Sequence, residues 1–350
     1  MPKSGASILN RRGLLAASCA LGLSAVLTAC GGGDTKKGSS DSVATQGADA
    51  EAKKGPWSFK DDRGTEVTLP QTPKNIVAFT GTAAALHDFG VPVKGVFGPT
   101  KLADGKPDVQ AGSMDISKVE IIGNVWGEFN VEKYAALQPD LLVTNMWVKD
   151  QLWYVPDESK DKILKAGGPS VALWAAETTI PTAIQRHADL AASLGADLKA
   201  PNVVSAKARF EKAAERLRQA AKAKPGLKVL IGSGSKDLFY VSAPKPSADT
   251  RYFQELGLTF VEPKVNAQGF FEELSWENAG KYKADIIMLD NRTGTAQPAE
   301  LANVATWANL PAVKAGQVVP RVTEPIFSYD KCAPILEDLA AAVEKAKKVS

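Results

Sequence analysis

A single long helix divides this chain into two halves that share one sequence pattern. Residues 201–224 carry apolar side chains at intervals of three and four positions, and Pro225 and Gly226 end the pattern. At about 1.5 Å per residue the helix is about 35 Å long, the width of a small domain. On both sides of it, short β-rich runs alternate with helical stretches, which is typical of parallel sheets covered by helices. The sequence therefore predicts an α/β fold with one lobe on each side of the helix.

Turn residues and apolar runs outline the two lobes. The first lobe opens with a β-hairpin around the turn Asp61 to Gly64. Its later strands are expected at 75–79, 93–97, 141–144 and 171–173, with helices at 82–89, 132–137 and 159–166. In the second half we expect strands at 228–231, 238–241, 258–261, 286–289 and 318–319, with helices at 251–256, 275–282 and 332–347. The first lobe then covers residues 57–177, connecting helices cover 178–226, and the second lobe covers 227–350.

The first thirty residues have the pattern of an export signal. Arg11 and Arg12 precede an apolar run over residues 13–26, which is shorter than the ~20 residues that a membrane-spanning helix needs. The run ends in Leu-Thr-Ala before Cys30, which resembles the lipobox of bacterial lipoproteins. We expect a signal peptide over residues 1–29, a lipid on Cys30 and a flexible tether over 30–56. The arginine pair leaves both general secretion and twin-arginine export open.

Charge and cysteine content limit the partners of the exported chain. Residues 1–29 contain three basic residues and no acidic one, so the mature chain carries 39 basic and 39 acidic residues. This neutrality gives no support for a nucleic-acid partner, because nucleic-acid binding requires a basic surface. Cys19 leaves with the signal and Cys30 is lipidated, so Cys332 remains alone and no intramolecular disulfide can form.

Metal-site and enzyme motifs are scarce. A bare transition-metal site is expected to use several His or Cys ligands, and only His87, His187 and Cys332 are available. Each of them suits ordinary packing or the surface. The glycines Gly232 and Gly234 fit neither a nucleophile elbow nor a phosphate-binding loop. We therefore expect no catalytic activity and no intrinsic cofactor, and any metal should arrive already held in an organic chelate.

Several segments in order resemble one known group. Residues 73–79, 131–143, 274–277, 284–289 and 307–318 resemble the substrate-binding lipoproteins of ferric-siderophore and corrinoid ABC importers. The likeness extends over about residues 57–349. It implies two Rossmann-like lobes bridged by one rigid helix, with the ligand in a cleft between the lobes. It also implies a monomer, anchored at the outer face of the cytoplasmic membrane, that captures a ferric siderophore for an ABC permease.

Candidate ligand-binding residues follow the strands, because ligands of open parallel sheets bind beyond the carboxyl ends. Aromatic walls and a few arginine donors suit a bulky chelate with carbonyl or hydroxamate oxygens. The candidates are Trp126, Trp147, Tyr154, Tyr240, Arg251, Phe271, Arg292 and Tyr329. No cluster of lysines and arginines surrounds these positions, which favours a near-neutral hydroxamate over a triply anionic catecholate.

The resemblance also implies a glutamate on each lobe that docks onto arginines of the permease. Glu277 matches the second of these, and Glu158, with Asp157 as the alternative, is the candidate on the first lobe. Two other functions stay open. The protein could bind a corrinoid or haem, with Tyr240, Tyr329 or a histidine on the metal, or it could be an exported hydrolase with an unrecognised site.

Overall fold

The computed structural model describes residues 55–265 and 269–350, all of which belong to one compact unit, Asp49–Ser350. The expected signal peptide, Cys30 and the tether up to residue 54 lie outside the described residues. Within residues 55–265 and 269–350, no helix combines the length and the apolar character that crossing a membrane requires.

Thirteen strands and ten α-helices make up the described part of the chain. The strands are β1 Trp57–Lys60, β2 Glu66–Leu69, β3 Ile76–Phe79, β4 Gly95–Phe97, β5 Glu120–Gly123, β6 Leu141–Met146, β7 Ser170–Trp174, β8 Lys228–Gly234, β9 Leu238–Ser242, β10 Thr259–Phe260, β11 Phe271–Ser275, β12 Ile286–Asp290 and β13 Val318–Arg321. The helices are α1 Thr80–Asp88, α2 Val131–Ala136, α3 Lys160–Ala166, α4 Ile180–Ser193, α5 Pro201–Ala223, α6 Ala248–Glu255, α7 Pro298–Leu301, α8 Ala305–Ala308, α9 Pro311–Lys314 and α10 Tyr329–Lys345.

The first lobe contains a parallel five-stranded sheet with the order β5-β4-β3-β6-β7. The β1–β2 hairpin lies along the outer edge of β7. There the Asp62 backbone N–H donates to the Ala172 carbonyl oxygen at 3.1 Å, and the Trp174 N–H donates to Asp62 Oδ2 at 2.8 Å. The hairpin thus covers a strand edge that would otherwise offer unpaired backbone groups.

The second lobe contains a mixed sheet with the order β11-β9-β8-β12-β13, and β10 pairs with the first residues of β8. Strands β8, β10, β12 and β13 are parallel, whereas β9 runs antiparallel to both β8 and β11. The expectation of parallel strands is therefore wrong for β9 alone among the expected strands of this lobe. A tight turn causes the difference, because Ser235 N–H donates to the Leu238 carbonyl oxygen at 2.9 Å and reverses the chain directly after β8.

Both sheets contribute one face to a common apolar core. In the first sheet Ile76, Ala78, Leu141 and Val143 belong to it, and in the second sheet Val229, Ile231, Ile286 and Met288 do. Helices α4, α5, α6 and α10 complete this core, while the alternate strand residues pack into a separate cluster on each lobe. Because side chains alternate across a strand, the two lobes share one core and each keeps its own outer layer.

Helix α5 follows the first sheet and precedes the second, and it ends one residue before the expected Lys224. It packs beside α10, with Arg209 paired to Glu337 and Arg216 paired to Glu344, each at 2.6 Å. From the first pair to the second, the residue on α5 and the residue on α10 each move seven positions toward the C-terminus. The two helices therefore run in the same direction. The expected two-lobed α/β architecture with one long connecting helix is confirmed.

The lobes repeat one hydrogen-bonding pattern where their central strands begin. In the first lobe Asp140 donates its N–H to the Asn75 carbonyl at 2.8 Å and accepts the Asn75 N–H at Oδ2 at 2.9 Å. In the second lobe Asp285 makes the same two bonds with Lys228, both at 2.8 Å. These bonds make Asp140 and Asp285 equivalent positions of an internal repeat.

Other elements differ from expectation. The helix expected at 275–282 is wrong, because Trp276–Asn278 form a single 3-10 turn and Ser275 is the last residue of β11. Trp276 donates from Nε1 to the Ser235 carbonyl at 3.2 Å, and Gly280 follows closely. Strands β5 and β11 were not expected, and neither were the short helices α7, α8 and α9.

A buried ion pair holds α6 to the carboxyl end of β13. Arg321 donates from Nε and Nη2 to the two Asp249 oxygens at 2.8 and 2.9 Å, and both side chains are buried. We predict that Asp249→Ala lowers the free energy of unfolding by about 3–5 kcal/mol, because it leaves a buried guanidinium without its counterion. Glu344→Ala, which removes an exposed ion pair, is the control and should leave the denaturation midpoint nearly unchanged. Equal effects in urea denaturation would contradict the prediction.

Candidate functional site

Aromatic rings form a wall at the carboxyl ends of the first sheet. Trp126 follows β5, and Trp147, Trp153 and Tyr154 follow β6. The ring centroids of Trp126 lie 4.8 Å from Trp153 and 5.0 Å from Tyr154, and Trp147 lies 5.8 Å from Trp153. Trp126 is 63% exposed, whereas Phe79 at the end of β3 backs Tyr154 at 5.2 Å. We call these four residues, Trp126, Trp147, Trp153 and Tyr154, the aromatic wall.

The loop after β6 is held against its own strand. Trp153 donates its backbone N–H to the Asn145 carbonyl at 3.0 Å, and Thr144 Oγ1 donates to the Trp153 carbonyl at 2.7 Å. The next residue, Tyr154, has a φ of 61°, a left-handed conformation that bulky residues rarely adopt. Such strain persists where the surrounding structure imposes it, and it is concentrated at functional sites.

Arg292 extends from the end of β12 and is oriented by two carboxylates. Its Nε and Nη2 donate to Asp290, with Nη2 at 2.7 Å, and its Nη1 donates to Glu324 Oε1 at 2.8 Å. Burial alone would lower the pKa of Arg292, but the hydrogen bonds and charges of Asp290 and Glu324 outweigh it and raise that pKa. Because a guanidinium has five N–H groups, two remain for other acceptors.

Glu324 and Asp108 bring the two lobes together at this point. Glu324 Oε2 accepts from Gln110 Nε2 at 3.1 Å and from Trp153 Nε1 at 3.2 Å, both of the first lobe. Thr293 Oγ1 of the second lobe donates to Asp108 Oδ2 at 3.0 Å. Glu324 therefore places the aromatic wall and Arg292 next to each other where the two lobes meet.

The site is acidic and contains one protonated hydroxyl. Burial, with the nearby Glu324 carboxylate, raises the pKa of Tyr154 to about 12, so its hydroxyl stays a hydrogen-bond donor at neutral pH. Asp290 and Glu324 contribute two carboxylates that pair with the guanidinium of Arg292, and Asp108 accepts from the neighbouring Thr293. Lys236 also lines the cavity beside Arg292. A cavity of about 180 Å³ lies beside Trp126 and Tyr154, and one of about 850 Å³ lies beside Arg292.

Four of the eight expected ligand-binding residues come together here, namely Trp126, Trp147, Tyr154 and Arg292. Arg251 lies on α6, where it donates to Glu177 Oε2 at 2.8 Å and to the Lys245 carbonyl at 3.0 Å. Tyr240 and Phe271 face each other across β9 and β11, with ring centroids 5.3 Å apart. Among the described residues, no ring contact joins this pair to the aromatic wall.

Tyr329 does not join the site. Its ring lies 6.3 Å from Phe89 and 5.7 Å from Phe210, and Lys207 Nζ lies 5.9 Å above it. It is the first residue of α10, where that helix packs against α5, so its ring belongs to the helix interface rather than to a loop that follows a strand.

The histidines and Cys332 also lie away from the aromatic wall. His187 is fully buried, its Nδ1 lies 2.8 Å from the Ala183 carbonyl, and burial lowers its pKa to about 4. Cys332 is buried as well, and its thiol donates to the Ile326 carbonyl at 3.3 Å. Within the described part of the chain, no three His, Cys, Asp or Glu side chains are grouped as a metal site would require. The positions considered for direct metal ligation thus do not converge on the aromatic wall.

Sequence reasoning missed Trp153, Glu324, Gln110 and Asp108. Trp153 precedes Tyr154 in a segment that lengthens the loop after β6, and that lengthening was a usable signal. Gln110 and Asp108 lie on a 3-10 turn long after β4, and Glu324 lies three residues beyond β13. Nothing in their local sequence distinguishes them from surface polar residues.

Three exposed glutamates bear on docking. Glu277 lies in the 3-10 turn after β11, and its own backbone N–H and the Ser275 hydroxyl lower its pKa. Glu158 lies before α3 and lines the cavity beside Trp126. Glu132 lies on α2, eight residues before Asp140, as Glu277 lies eight residues before Asp285. The internal repeat therefore makes Glu132, rather than Glu158, the equivalent of Glu277.

The family of this chain follows from comparison with known proteins. Residues 80–320 match the family described as periplasmic binding protein. The chain belongs to this family, whose members are extracytoplasmic binding proteins, and the expectation that it is not an enzyme is confirmed.

Individual relatives agree in fold and in class. The crystal structure of DesE, a ferric-siderophore receptor protein from Streptomyces coelicolor, has 58% sequence identity and a TM-score of 0.81, covering 84% of this chain and 100% of DesE. The Fe(3+)-citrate-binding protein YfmC of Bacillus subtilis is 25% identical over 282 residues, which are 80% of this chain and 83% of YfmC. The petrobactin-binding protein YclQ, also from Bacillus subtilis, shares the fold, with a TM-score of 0.60 at 16% identity, covering 83% of this chain and 100% of YclQ.

Proposed function

We propose that this protein binds a ferric siderophore between its lobes and delivers it to an ABC transporter. The observation that carries the proposal is the aromatic wall, placed against an arginine that two carboxylates orient. The similarity to DesE, at 58% identity over the whole of that structure, supports the same class of ligand.

The geometry suits a ferric chelate whose iron-binding oxygens carry no net charge and are surrounded by an apolar organic backbone. The exposed face of Trp126 and the rings of Trp153 and Tyr154 offer flat surfaces against which an organic backbone can pack. The two remaining N–H groups of Arg292 and the protonated hydroxyl of Tyr154 can donate to hydroxamate oxygens. No covalent step is involved, so binding and release are the whole chemistry of the site.

The charge of the site supports a hydroxamate rather than a catecholate. Asp290 and Glu324 pair with Arg292, and the exposed Asp157 and Glu158 lie at the cavity beside Trp126. A triply anionic chelate would meet like charges there, and juxtaposed like charges cost several kcal/mol at an interface. A near-neutral or positively charged ferric hydroxamate avoids this penalty.

Alanine substitution of the two candidate arginines tests the site. We predict that Arg292→Ala weakens binding of a ferric trihydroxamate by about 10- to 100-fold, because hydrogen bonds to charged groups contribute about 1.5–3 kcal/mol. Arg251→Ala is the matched control and should have a smaller effect, because its guanidinium is engaged by Glu177 and the Lys245 carbonyl. Quenching of tryptophan fluorescence measures both affinities. Failure of every ferric chelate to quench the wild-type protein would refute the proposed function, and wild-type affinity of Arg292→Ala would place the chelate elsewhere.

We also propose that one glutamate on each lobe docks onto arginines of the permease. Glu277 is the docking residue of the second lobe, and Glu132 and Glu158 are the two candidates on the first lobe. The internal repeat around Asp140 and Asp285 supports Glu132, because related lobes should present equivalent docking carboxylates. Glu158 lies close to the aromatic wall, so its carboxylate is also available to the ligand.

Paired alanine variants separate the docking candidates. We predict that Glu132→Ala with Glu277→Ala abolishes uptake of radioactive iron chelate by cells, while ligand affinity stays within a factor of a few. Each contact acts at the rim and partly on the association rate, so the single variants should be milder than the pair. Glu158→Ala with Glu277→Ala is the comparison and should retain more uptake. If this comparison pair loses uptake and the Glu132 pair does not, Glu158 is the docking residue.

We propose that Cys30 anchors the mature protein to the outer face of the cytoplasmic membrane. The proposal rests on the Leu-Thr-Ala-Cys pattern after the apolar run, with polar residues between Cys30 and the first strand at Trp57. Export as such agrees with the family of extracytoplasmic binding proteins.

Replacing the anchor thiol tests the attachment directly. We predict that Cys30→Ser moves the protein from the membrane fraction to the soluble fraction, because it removes the acceptor of the lipid. Ligand affinity should not change, since residues 31–56 separate Cys30 from the first strand of the folded body. Cys332→Ser, which changes a buried thiol, is the control and should stay in the membrane fraction. Retention of Cys30→Ser in membranes would refute the lipid anchor.

A further inference from the structure

Glu324 receives hydrogen bonds from both lobes on one carboxylate. It follows β13 of the second lobe and is 8% exposed. Its Oε1 accepts from Arg292 Nη1 at 2.8 Å, and its Oε2 accepts from Gln110 Nε2 at 3.1 Å and Trp153 Nε1 at 3.2 Å. One side chain therefore connects the arginine of the site to the aromatic wall opposite.

The two first-lobe donors depend on this carboxylate for their orientation. The amide oxygen of Gln110 is buried without a hydrogen-bond partner among the described residues, so its contact with Glu324 orients the Gln110 amide. The indole N–H of Trp153 points at the same oxygen, and indole can only donate. Removing the acceptor would leave the buried Gln110 amide and the half-buried Trp153 indole without this partner, and an unsatisfied buried donor costs more than an ordinary hydrogen bond contributes.

A second contact crosses the lobes beside Glu324. Asp108 accepts from Thr293 Oγ1 at 3.0 Å and also accepts the Gln110 backbone N–H at 2.9 Å. Asp108 and Gln110 thus belong to one 3-10 turn of the first lobe, which binds the loops after β12 and β13. This turn and Glu324 therefore bridge the aromatic wall and Arg292 within the relation of the lobes that the shared core sets.

We propose that Glu324 is a positioning residue that sets the width of the cleft and thereby selects chelates by size. The proposal rests on the proposed function, because it concerns the same site. Glu324 does not need to touch the chelate. It holds Arg292 from one side and Trp153 and Gln110 from the other, so a ligand that fits the enforced spacing makes contacts with both walls at once.

Substitution of Glu324 and of its first-lobe partner tests this role. The variants are Glu324→Gln, Glu324→Ala and Gln110→Ala, and the control is Glu337→Gln, which alters an exposed ion pair between α10 and α5. Affinities are measured by tryptophan quenching with one linear ferric trihydroxamate, one cyclic ferric trihydroxamate and ferric citrate. We expect Glu324→Ala to reduce the ratio of affinities between the best and the poorest chelate at least tenfold, with intermediate effects for Gln110→Ala and Glu324→Gln. Glu337→Gln should retain the wild-type ratio.

A merely structural role would give a different result. In that case all affinities would fall together, or only the melting temperature would fall, and the ratio would stay at its wild-type value, which would overturn the proposal. If Glu324→Ala fails to fold, Gln110→Ala decides the question, because it removes one of the two first-lobe donors to Glu324 while the Arg292 and Trp153 contacts remain. Failure of the proposed function itself is distinguishable, since the wild-type protein would then bind none of the three chelates.

Discussion

The arrangement of this molecule depends on an apolar core that two sheets share. One face of β3 and β6 and one face of β8 and β12 pack into it, together with α5 and α10. Interiors of this kind are close-packed and resist gradual deformation. The lobes are therefore joined by burial of apolar surface, in addition to the single passage of the chain through α5. The relative position of the two lobes is therefore fixed, and so is that of the loops after their strands. Residues of different lobes can then form one site.

Polar residues at the ends of the strands determine which chelates the cleft suits. Arg292 is oriented by Asp290 and Glu324, and an oriented guanidinium loses little entropy when it donates its remaining N–H groups. Under the proposed function, the carboxylates of Asp290 and Glu324 disfavour strongly anionic chelates. The aromatic wall supplies contact area that is independent of charge. Together these properties fit an uncharged or positively charged ferric chelate, held by ring contacts and a few donated hydrogen bonds.

The internal repeat gives the two lobes equivalent surfaces as well as equivalent cores. Asp140 and Asp285 make the same pair of backbone hydrogen bonds, and an exposed glutamate precedes each of them by eight residues. A transporter that contacts both lobes can use such a pair as two reference points. Because the shared core fixes the relation of the lobes, the separation of Glu132 and Glu277 is a property of the fold.

Much of the fold was accessible from the sequence because it follows from periodicity. The alternation of strands and helices, the helix α5 and the hairpin before β3 were all expected and are all present. The antiparallel β9 was not, because its direction is decided by a turn of three residues. Aromatic residues after strands could be named in advance, and Trp126, Trp147 and Tyr154 lie together. Glu324 and Gln110 could not be named in advance, because the contact between them joins residues more than two hundred positions apart in the sequence.

The central claim is that a ferric chelate binds between the aromatic wall and Arg292, and the position of its iron tests this most directly. Crystals of the protein grown with a ferric trihydroxamate can be measured at the iron absorption edge, where anomalous scattering locates the metal. We predict one iron peak between the rings of Trp126 and Tyr154 and the guanidinium of Arg292. An iron peak in the groove lined by Val319, Ile326 and Pro334, or in the pocket beside Tyr329, would contradict it.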